Sequence, residues 1–245
     1  MITPPLIELC KVCFAWPGSD KLLLDNVDVS LNREQRIGLI GSNGSGKTSL
    51  LHLIMGLYTP GKGQIFFKGK VVKEKKDYQL LRNNIGLVFQ DADDQLFSPT
   101  VLEDVAFGPL NLGKSIEEAK EISFTVLEKL GLSMLADRVT HQLSGGEKKL
   151  VSLATILSME PQALLLDEPT NNLDSETRTR LITILNDLNL AYIIVSHDWD
   201  FLAETCQDLY ALEHGHAVKS TTACLHVHRH AHLFGNQPHD HDHGT

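Results

Sequence analysis

The chain has 245 residues, 42% of them apolar, which is enough to bury a full core and suits one large α/β domain with or without a subdomain. With 22 Lys and Arg against 31 Asp and Glu, a net charge of −9 and a pI near 5.7, it offers no basic stripe to neutralise nucleic-acid phosphates. No apolar run approaches the ~18 residues of a membrane span, and the start Met1-Ile2-Thr3-Pro4-Pro5 has neither a charged region nor an apolar h-region, which predicts a cytoplasmic chain.

Residues 6–31 read as two strands joined by the turn Pro17-Gly18-Ser19-Asp20. Cys10-Lys11-Val12-Cys13, inside the first strand, matches C-x-x-C. A strand points residues three apart to opposite faces, so two ordinary cysteines are expected rather than a redox or zinc pair. Four cysteines in all are too few for a disulfide framework in a chain this long.

Arg36 to Ile40 reads as a buried strand that feeds Gly41-Ser42-Asn43-Gly44-Ser45-Gly46-Lys47-Thr48, a G-x-x-x-x-G-K-T pattern. A polyphosphate needs several inward-pointing backbone N–H groups, which side chains beyond Cβ obstruct, so three glycines in eight residues suit a loop that wraps an anion. Lys47 is expected to reach the β- and γ-phosphates and the Thr48 hydroxyl to ligate Mg²⁺. The segment from Ser49 to Met55 reads as a helix whose positive N-terminal end faces those phosphates. Strand, glycine loop and helix in that order separate the pattern from a Gly/Ser turn with an incidental lysine.

Gln64 to Val72 reads as a hairpin around Gly69, and the basic run Lys68 to Lys76 as its solvated continuation. Ile85 to Phe89 is another buried strand. From Asp91 to about Leu157 the pattern is helical, including a capping box at Ser115-Ile116-Glu117-Glu118. That helix carries apolar Ile116, Ala119, Ile122, Val126 and Leu130 and closes at Gly131, which suggests a helical subdomain inserted into the α/β core. Leu143-Ser144-Gly145-Gly146-Glu147 opens a further helix, to about Ser158. Ser144 and Glu147 form a capping box by themselves, but glycine costs about 1 kcal/mol per helical position, so Gly145 and Gly146 in a first turn suggest an anion close to the backbone.

Ala163 to Leu166 and Ala191 to Val195 are apolar throughout, as in a parallel sheet covered on both faces. The first run continues into Asp167 and Glu168, two carboxylates at the strand end where open α/β sheets bind ligands. Asp167 fits an Mg²⁺ partner and Glu168 a group that polarises the water attacking the γ-phosphorus. An Asp-Glu pair alone is weak evidence, and so are a lone Trp16 or a lone His197.

Taken together, the phosphate loop, Leu143 to Glu147, the Asp167-Glu168 strand, Asn171-Asn172-Leu173-Asp174 and Ser196-His197-Asp198 resemble, in order, an ABC-transporter ATP-binding subunit over residues 6 to about 217. The resemblance implies an α/β P-loop NTPase core with a parallel sheet, an N-terminal antiparallel β-subdomain and an α-helical subdomain inserted at about 91–157, all within an ATP-binding domain of residues 1–220. It implies ATP and Mg²⁺ as ligands. Gly41, Ser42, Asn43, Gly44, Ser45, Gly46, Lys47 and Thr48 would cradle the phosphates, and Trp16, where the family usually has Tyr, would stack on the adenine. Thr48, Gln90 and Asp167 would surround Mg²⁺, with Gln90 also touching the attacking water, Glu168 acting on that water and His197 on the γ-phosphate. Ser144, Gly145 and Gly146 would grip the γ-phosphate of the ATP held by a second ATP-binding subunit, a homodimer partner by expectation, and Asp174 joins the nucleotide-binding positions. Leu150, after Lys148 and Lys149, stands where the family often has Arg, so local pairing differs there while phosphate binding does not.

Gln90 to Pro109 runs from the nucleotide-sensing glutamine into an acidic, partly helical segment that is otherwise a solvated loop. It resembles the extended glutamine-loop helix of energy-coupling-factor (ECF) importers, which receives the coupling helices of a transmembrane subunit; Ala92 stands in place of the usual Pro. Beyond about Ser220, residues 221–245 form a tail with His226, His228, His230 and His232 alternating and His239, His241 and His243 interleaved with Asp240 and Asp242. Imidazoles suit Ni²⁺, Co²⁺, Cu²⁺ and Zn²⁺, although a solvating low-complexity end is the plainer reading. The expectation is an ATPase energising nickel or cobalt uptake, peripheral at the cytoplasmic face of the membrane, with a transmembrane coupling subunit docked near 90–109, a substrate-binding membrane subunit and no nucleic-acid partner. The alternatives are the same ATP module serving a vitamin or zinc importer, and a soluble ABC ATPase acting outside transport.

Overall fold

The computed structural model describes residues 3–220. In chain order it runs β1 (Ile7–Phe14), β2 (Leu24–Leu31), β3 (Arg36–Ile40), α1 (Lys47–Ile54), β4 (Lys62–Phe67), β5 (Lys70–Val71), α2 (Lys75–Arg82), β6 (Ile85–Val88), α3 (Val101–Asn111), α4 (Ile116–Lys129) and α5 (Gly145–Leu157). Then follow β7 (Ala163–Asp167), α6 (Ser175–Asp187), β8 (Ala191–Val195), α7 (Trp199–Thr205), β9 (Asp208–Glu213) and β10 (His216–Ser220), with short 3₁₀ turns between α-helices and before α3.

Four strands form an antiparallel sheet in the order β2-β1-β4-β5. Burial alternates along β2, where Leu24, Val27, Val29 and Leu31 are buried and Asn26 and Asp28 exposed, as a sheet with one wet face requires. The register of β1 slips between Leu9 and Val12, where Lys11 takes a positive φ of 49°. Cys10 is half-buried, Cys13 is buried, and both are free thiols.

The other six strands run in the order β10-β9-β3-β8-β7-β6, parallel from β9 to β6 and closed by the antiparallel β10. Both faces are covered, and successive residues divide between two cores. Ala163 and Leu165 of β7, with Ala191, Ile193 and Val195 of β8, join the core shared with the antiparallel sheet and α1. Leu164, Leu166, Tyr192 and Ile194 face the core built with α3 to α7. This two-sided burial explains why these strands read as unbroken apolar runs. The chain therefore has the α/β P-loop fold with a parallel sheet, an antiparallel β-layer and a helical layer. No helix of the described residues is long and apolar enough to cross a membrane.

Two local expectations need correction. Lys75 and Lys76 do not continue a hairpin; they open α2, because Glu74 and Asp77 cap its first turn reciprocally. In α4, Ile116 is 72% exposed, and the buried face is Ala119, Ser123 and Leu127, with Ile122 and Val126 half-buried beside it. Ser123 is tolerated there because its hydroxyl donates to the Ala119 carbonyl at 2.7 Å.

Candidate nucleotide site

The loop after β3 is shaped by two close approaches. Gly41 has φ 151°, and a Cβ there would fall 2.5 Å from the Leu212 carbonyl oxygen, while Gly46, at φ 104°, would press one to 2.9 Å from Leu24 Cδ2. Gly46 leads into α1, which has no side-chain cap and no acidic residue in its first turn. The helices α3 to α7 are all capped by a hydroxyl or carboxylate, from Thr100, Ser115, Ser144, Asp174 and Asp198. The free N–H groups and positive end of α1 are thus left for an anion. Lys47 is buried and folds back over the loop, its Nζ donating to the carbonyls of Gly41 (2.8 Å) and Ser42 (3.0 Å).

Asp167 closes β7, and Glu168 follows it in the left-handed region at φ 44°, an uncommon conformation for a residue with a side chain. Glu168 Oε1 lies 3.3 Å from His197 Nε2, and Oε2 accepts from the His197 backbone N–H at 3.3 Å. His197 Nε2 is in turn 3.4 Å from Lys47 Nζ. Burial pushes the Glu168 carboxyl above its ordinary range, with His197 and Lys47 opposing the rise. The Asp167 carboxyl is also raised by burial, against the opposing pull of the nearby Thr48 hydroxyl, and burial lowers Lys47 against the pull of both carboxylates.

Around these groups lies a cavity of about 540 Å³, lined among others by Trp16, Asn43, Gly44, Gly46, Lys47, Thr48, Gln90, Glu168, Asn171 and His197. Trp16 stands at its edge, 45% exposed, held edge-on by Phe14 (5.3 Å between centroids) and Tyr58 (5.2 Å). A second cavity shares Thr48, Gln90 and Asn171 and reaches Asp167, Asp91 to Asp94, Gly145 and Lys149. Ser45 Oγ and Asp167 Oδ1 are buried and have no hydrogen-bond partner. An orphan carboxylate oxygen beside a threonine hydroxyl and a glutamine is a donor set that suits a hard divalent cation, so the residues fit Mg²⁺.

Not every predicted residue meets there. Ser144 is engaged in its own capping box, its N–H and Oγ both donating to Glu147 Oε2 at 2.8 Å, and Gly146 packs on Thr177. Asp174 accepts from the Thr177 N–H at 2.8 Å as the cap of α6. None of the three lines the cavity that holds Lys47. His226, His228, His230, His232, His239, His241 and His243 lie outside the described residues, among which no group of three His, Cys, Asp or Glu side chains is placed to hold a metal.

Sequence reasoning missed Asn171 as a lining residue, although it belongs to a quoted motif. It also missed Lys149, buried with its Nζ donating to the carbonyls of Phe89 (3.2 Å) and Gln90 (2.7 Å). Arg178, which grips Asp198 with two bonds of 2.7 and 3.0 Å, was not anticipated either. Nothing in a Lys-Lys pair says which ammonium faces inward. The absent arginine at position 150 has a plain outcome: Leu150 is core.

The ABC transporter family model matches residues 24–171, the stretch from β2 through the phosphate loop to Asn171. The chain belongs to the ABC transporter ATP-binding family. This ABC subunit is 51% identical over 237 residues, 97% of its own length and 86% of the other's, to a putative ABC transporter ATP-binding protein of Nitratidesulfovibrio vulgaris. It is 40% identical over 221 residues, 89% of its length and 79% of the other's, to the energy-coupling factor transporter ATP-binding protein EcfA of Methanosphaera stadtmanae. Among solved structures it resembles CbiO1 of Clostridium perfringens, described as part of the ABC transporter complex CbiONQ, with a TM-score of 0.78 at 32% identity over 88% of this chain and 87% of that one. It also resembles the MJ0796 cassette, solved as a dimer in a post-hydrolysis state with ADP and Pi, at TM-score 0.78 and 25% identity over 87% and 97%. The protein is an ATP-binding subunit of a transporter, an ABC ATPase of the ECF type.

Proposed function

We propose that the protein hydrolyses ATP as one of two subunits facing head to tail and so energises an ECF-type importer of nickel or cobalt at the cytoplasmic face of the membrane. The observation that carries the hydrolytic reading is the chain of contacts from Lys47 through His197 to Glu168, at 3.4 and 3.3 Å, beside an uncapped helix start. In this reading the loop N–H groups of Gly41, Ser42, Asn43, Gly44, Ser45 and Gly46, with Lys47, bind the β- and γ-phosphates, and Trp16 takes the adenine on its indole face. Thr48, Asp167 and Gln90 would hold Mg²⁺, which when bound would neutralise charge on the phosphates. Glu168, made more basic by burial, accepts a proton from the water as it attacks the γ-phosphorus, Gln90 orients that water and His197 donates to the γ-phosphate. Ser144, Gly145, Gly146 and Asp174 of one protomer complete the site of the other, so ATP joins the pair and loss of the γ-phosphate loosens it.

Glu168→Gln tests this directly. Turnover is expected to fall about 10²- to 10⁴-fold, the range for losing a general base, while ATP binding and ATP-dependent dimer formation persist in calorimetry and size-exclusion chromatography. Turnover at the wild-type rate would remove Glu168 from its role.

The cargo and partners rest on different support. Phe97 and Phe107 are 66% and 48% exposed and meet edge to face at 4.8 Å, beside the acidic Asp91 to Asp94 turn. An aromatic and acidic patch next to the Gln90 segment suits a transmembrane coupling subunit docked near residues 90–109. A substrate-binding membrane subunit completes the complex. The histidines of residues 226–243 favour a transition-metal cargo, nickel or cobalt in this reading, over a vitamin, because imidazole is a preferred ligand of such ions.

A further inference from the structure

Helix α5 has the Ser144 turn at its N-terminus, and the segment that leaves β6 carries Gln90. Four residues on one side of α5 hold that segment. Lys148 Nζ pairs with Asp93 at 2.6 Å, and the Gln95 amide donates to the Ser152 carbonyl (2.7 Å) and to Thr155 Oγ1 (2.8 Å), while its oxygen accepts from the Phe89 N–H at 3.2 Å. Asp93 is largely exposed, so the first contact is weak. The Gln95 bonds anchor the far end of the segment. Lys149 alone of these reaches the Gln90 peptide, at 2.7 Å, and bonds the Phe89 carbonyl beside it at 3.2 Å.

Lys149 is 4% exposed and forms no ion pair among the described residues; both its acceptors are backbone carbonyls. Burying an ammonium costs free energy that a hydrocarbon does not, and Leu150 beside it fills the core without that cost. Packing therefore does not account for a lysine here. Its donors do, because a peptide that turns out of β6 presents carbonyls that the sheet ladder no longer satisfies. The same ammonium lies in the negative field of Asp91, Asp167 and Glu168, so it faces the site rather than the surface.

We propose that Lys149 is a positioning residue for Gln90: its ammonium holds the peptide from which the Gln90 side chain enters the site and ties that peptide to the helix that presents Ser144 to the partner protomer. A displacement of α5 when two protomers close is passed to Gln90 through this contact. The proposal rests on the role given to Gln90 above.

The experiment uses the full chain, with steady-state turnover, Mg²⁺ titration, and ATP affinity measured in EDTA. Lys149→Met keeps the stem and removes the donors; it is expected to lower kcat tenfold or more, to raise the Mg²⁺ concentration for half-maximal turnover, and to leave metal-free ATP affinity within about threefold. Lys149→Gln restores two N–H donors without charge, on a stem one bond shorter, and is expected to turn over at least about threefold faster than Lys149→Met. In a Gln90→Ala background, Lys149→Met is expected to add less than about twofold, since both changes act through one group. Turnover of Lys149→Met near wild type, turnover of Lys149→Gln no better than that of Lys149→Met, or effects that multiply in the Gln90→Ala background would each overturn the proposal. Wild-type turnover of Gln90→Ala alone strikes instead at the role of Gln90, and so separates the two failures.

Discussion

Glu168 and Asp167 are costly residues for the fold. Both carboxyls are raised by burial, so each binds its proton more tightly in the folded chain than in the unfolded one. Stability from such a group is full below the unfolded carboxylate pKa and is lost as pH rises through the folded value, which leaves the ionised pair destabilising at neutral pH. Glu168→Gln is therefore expected to raise the melting temperature of the nucleotide-free protein near pH 7, with the gain shrinking as pH falls through the raised carboxyl value toward the unfolded value of about 4.3. Differential scanning calorimetry across that range checks it; a lowered melting temperature at neutral pH would show that the contacts with Lys47 and His197 outweigh burial. The same rise places the acid limb of the wild-type kcat/KM profile above about 4.3, the ordinary glutamate value. Both carboxylates were legible in the sequence because they end an apolar strand. Their burial was not, since it depends on residues brought over them from β8 and α1.

Among the elements, α5 is placed by contacts that local pattern does not announce. Gly86 of β6 is buried with an ordinary φ, and a Cβ on it would overlap Ile156 of α5. Gly86→Ala is expected to destabilise by about 1–3 kcal/mol through overpacking, a fall of about 2–4 °C per kcal/mol in a chain of this size. Ile156→Ala in that background is expected to recover part of the loss. Additive losses in thermal unfolding would mean that the two residues do not press on each other. The capping boxes at Ser115 and Ser144 were legible because cap and partner are three residues apart. The face that α4 buries was not. Ile116 sits at the first turn, where no neighbouring element covers it, and Ser123 hides in the core by bonding its own backbone.

At the scale of the molecule, strand order makes the site. The sheet places β7, β8 and β3 side by side, so Glu168, His197 and the phosphate loop all emerge at one edge although they are far apart in the chain. Residues 221–245 follow β10 in the chain and belong to this scale too. Removing them is expected to abolish tight Ni²⁺ or Co²⁺ binding in titration calorimetry while ATP hydrolysis remains measurable. Unchanged metal binding would take the histidines out of the cargo argument. What the sequence determined by itself is the chemistry that fits within a short stretch: a loop that must wrap phosphate, helix caps, and strands apolar on both faces. Steric and hydrogen-bonding rules act there between near neighbours. Only the tertiary structure decided that Lys47 meets His197, that Lys149 turns inward to Gln90 while Lys148 turns out to Asp93, and that Ser144 stands apart from its own protomer's cavity. Those outcomes depend on which layers pack together and in what register, and burial of the same apolar residues is compatible with many such arrangements until the whole chain is folded.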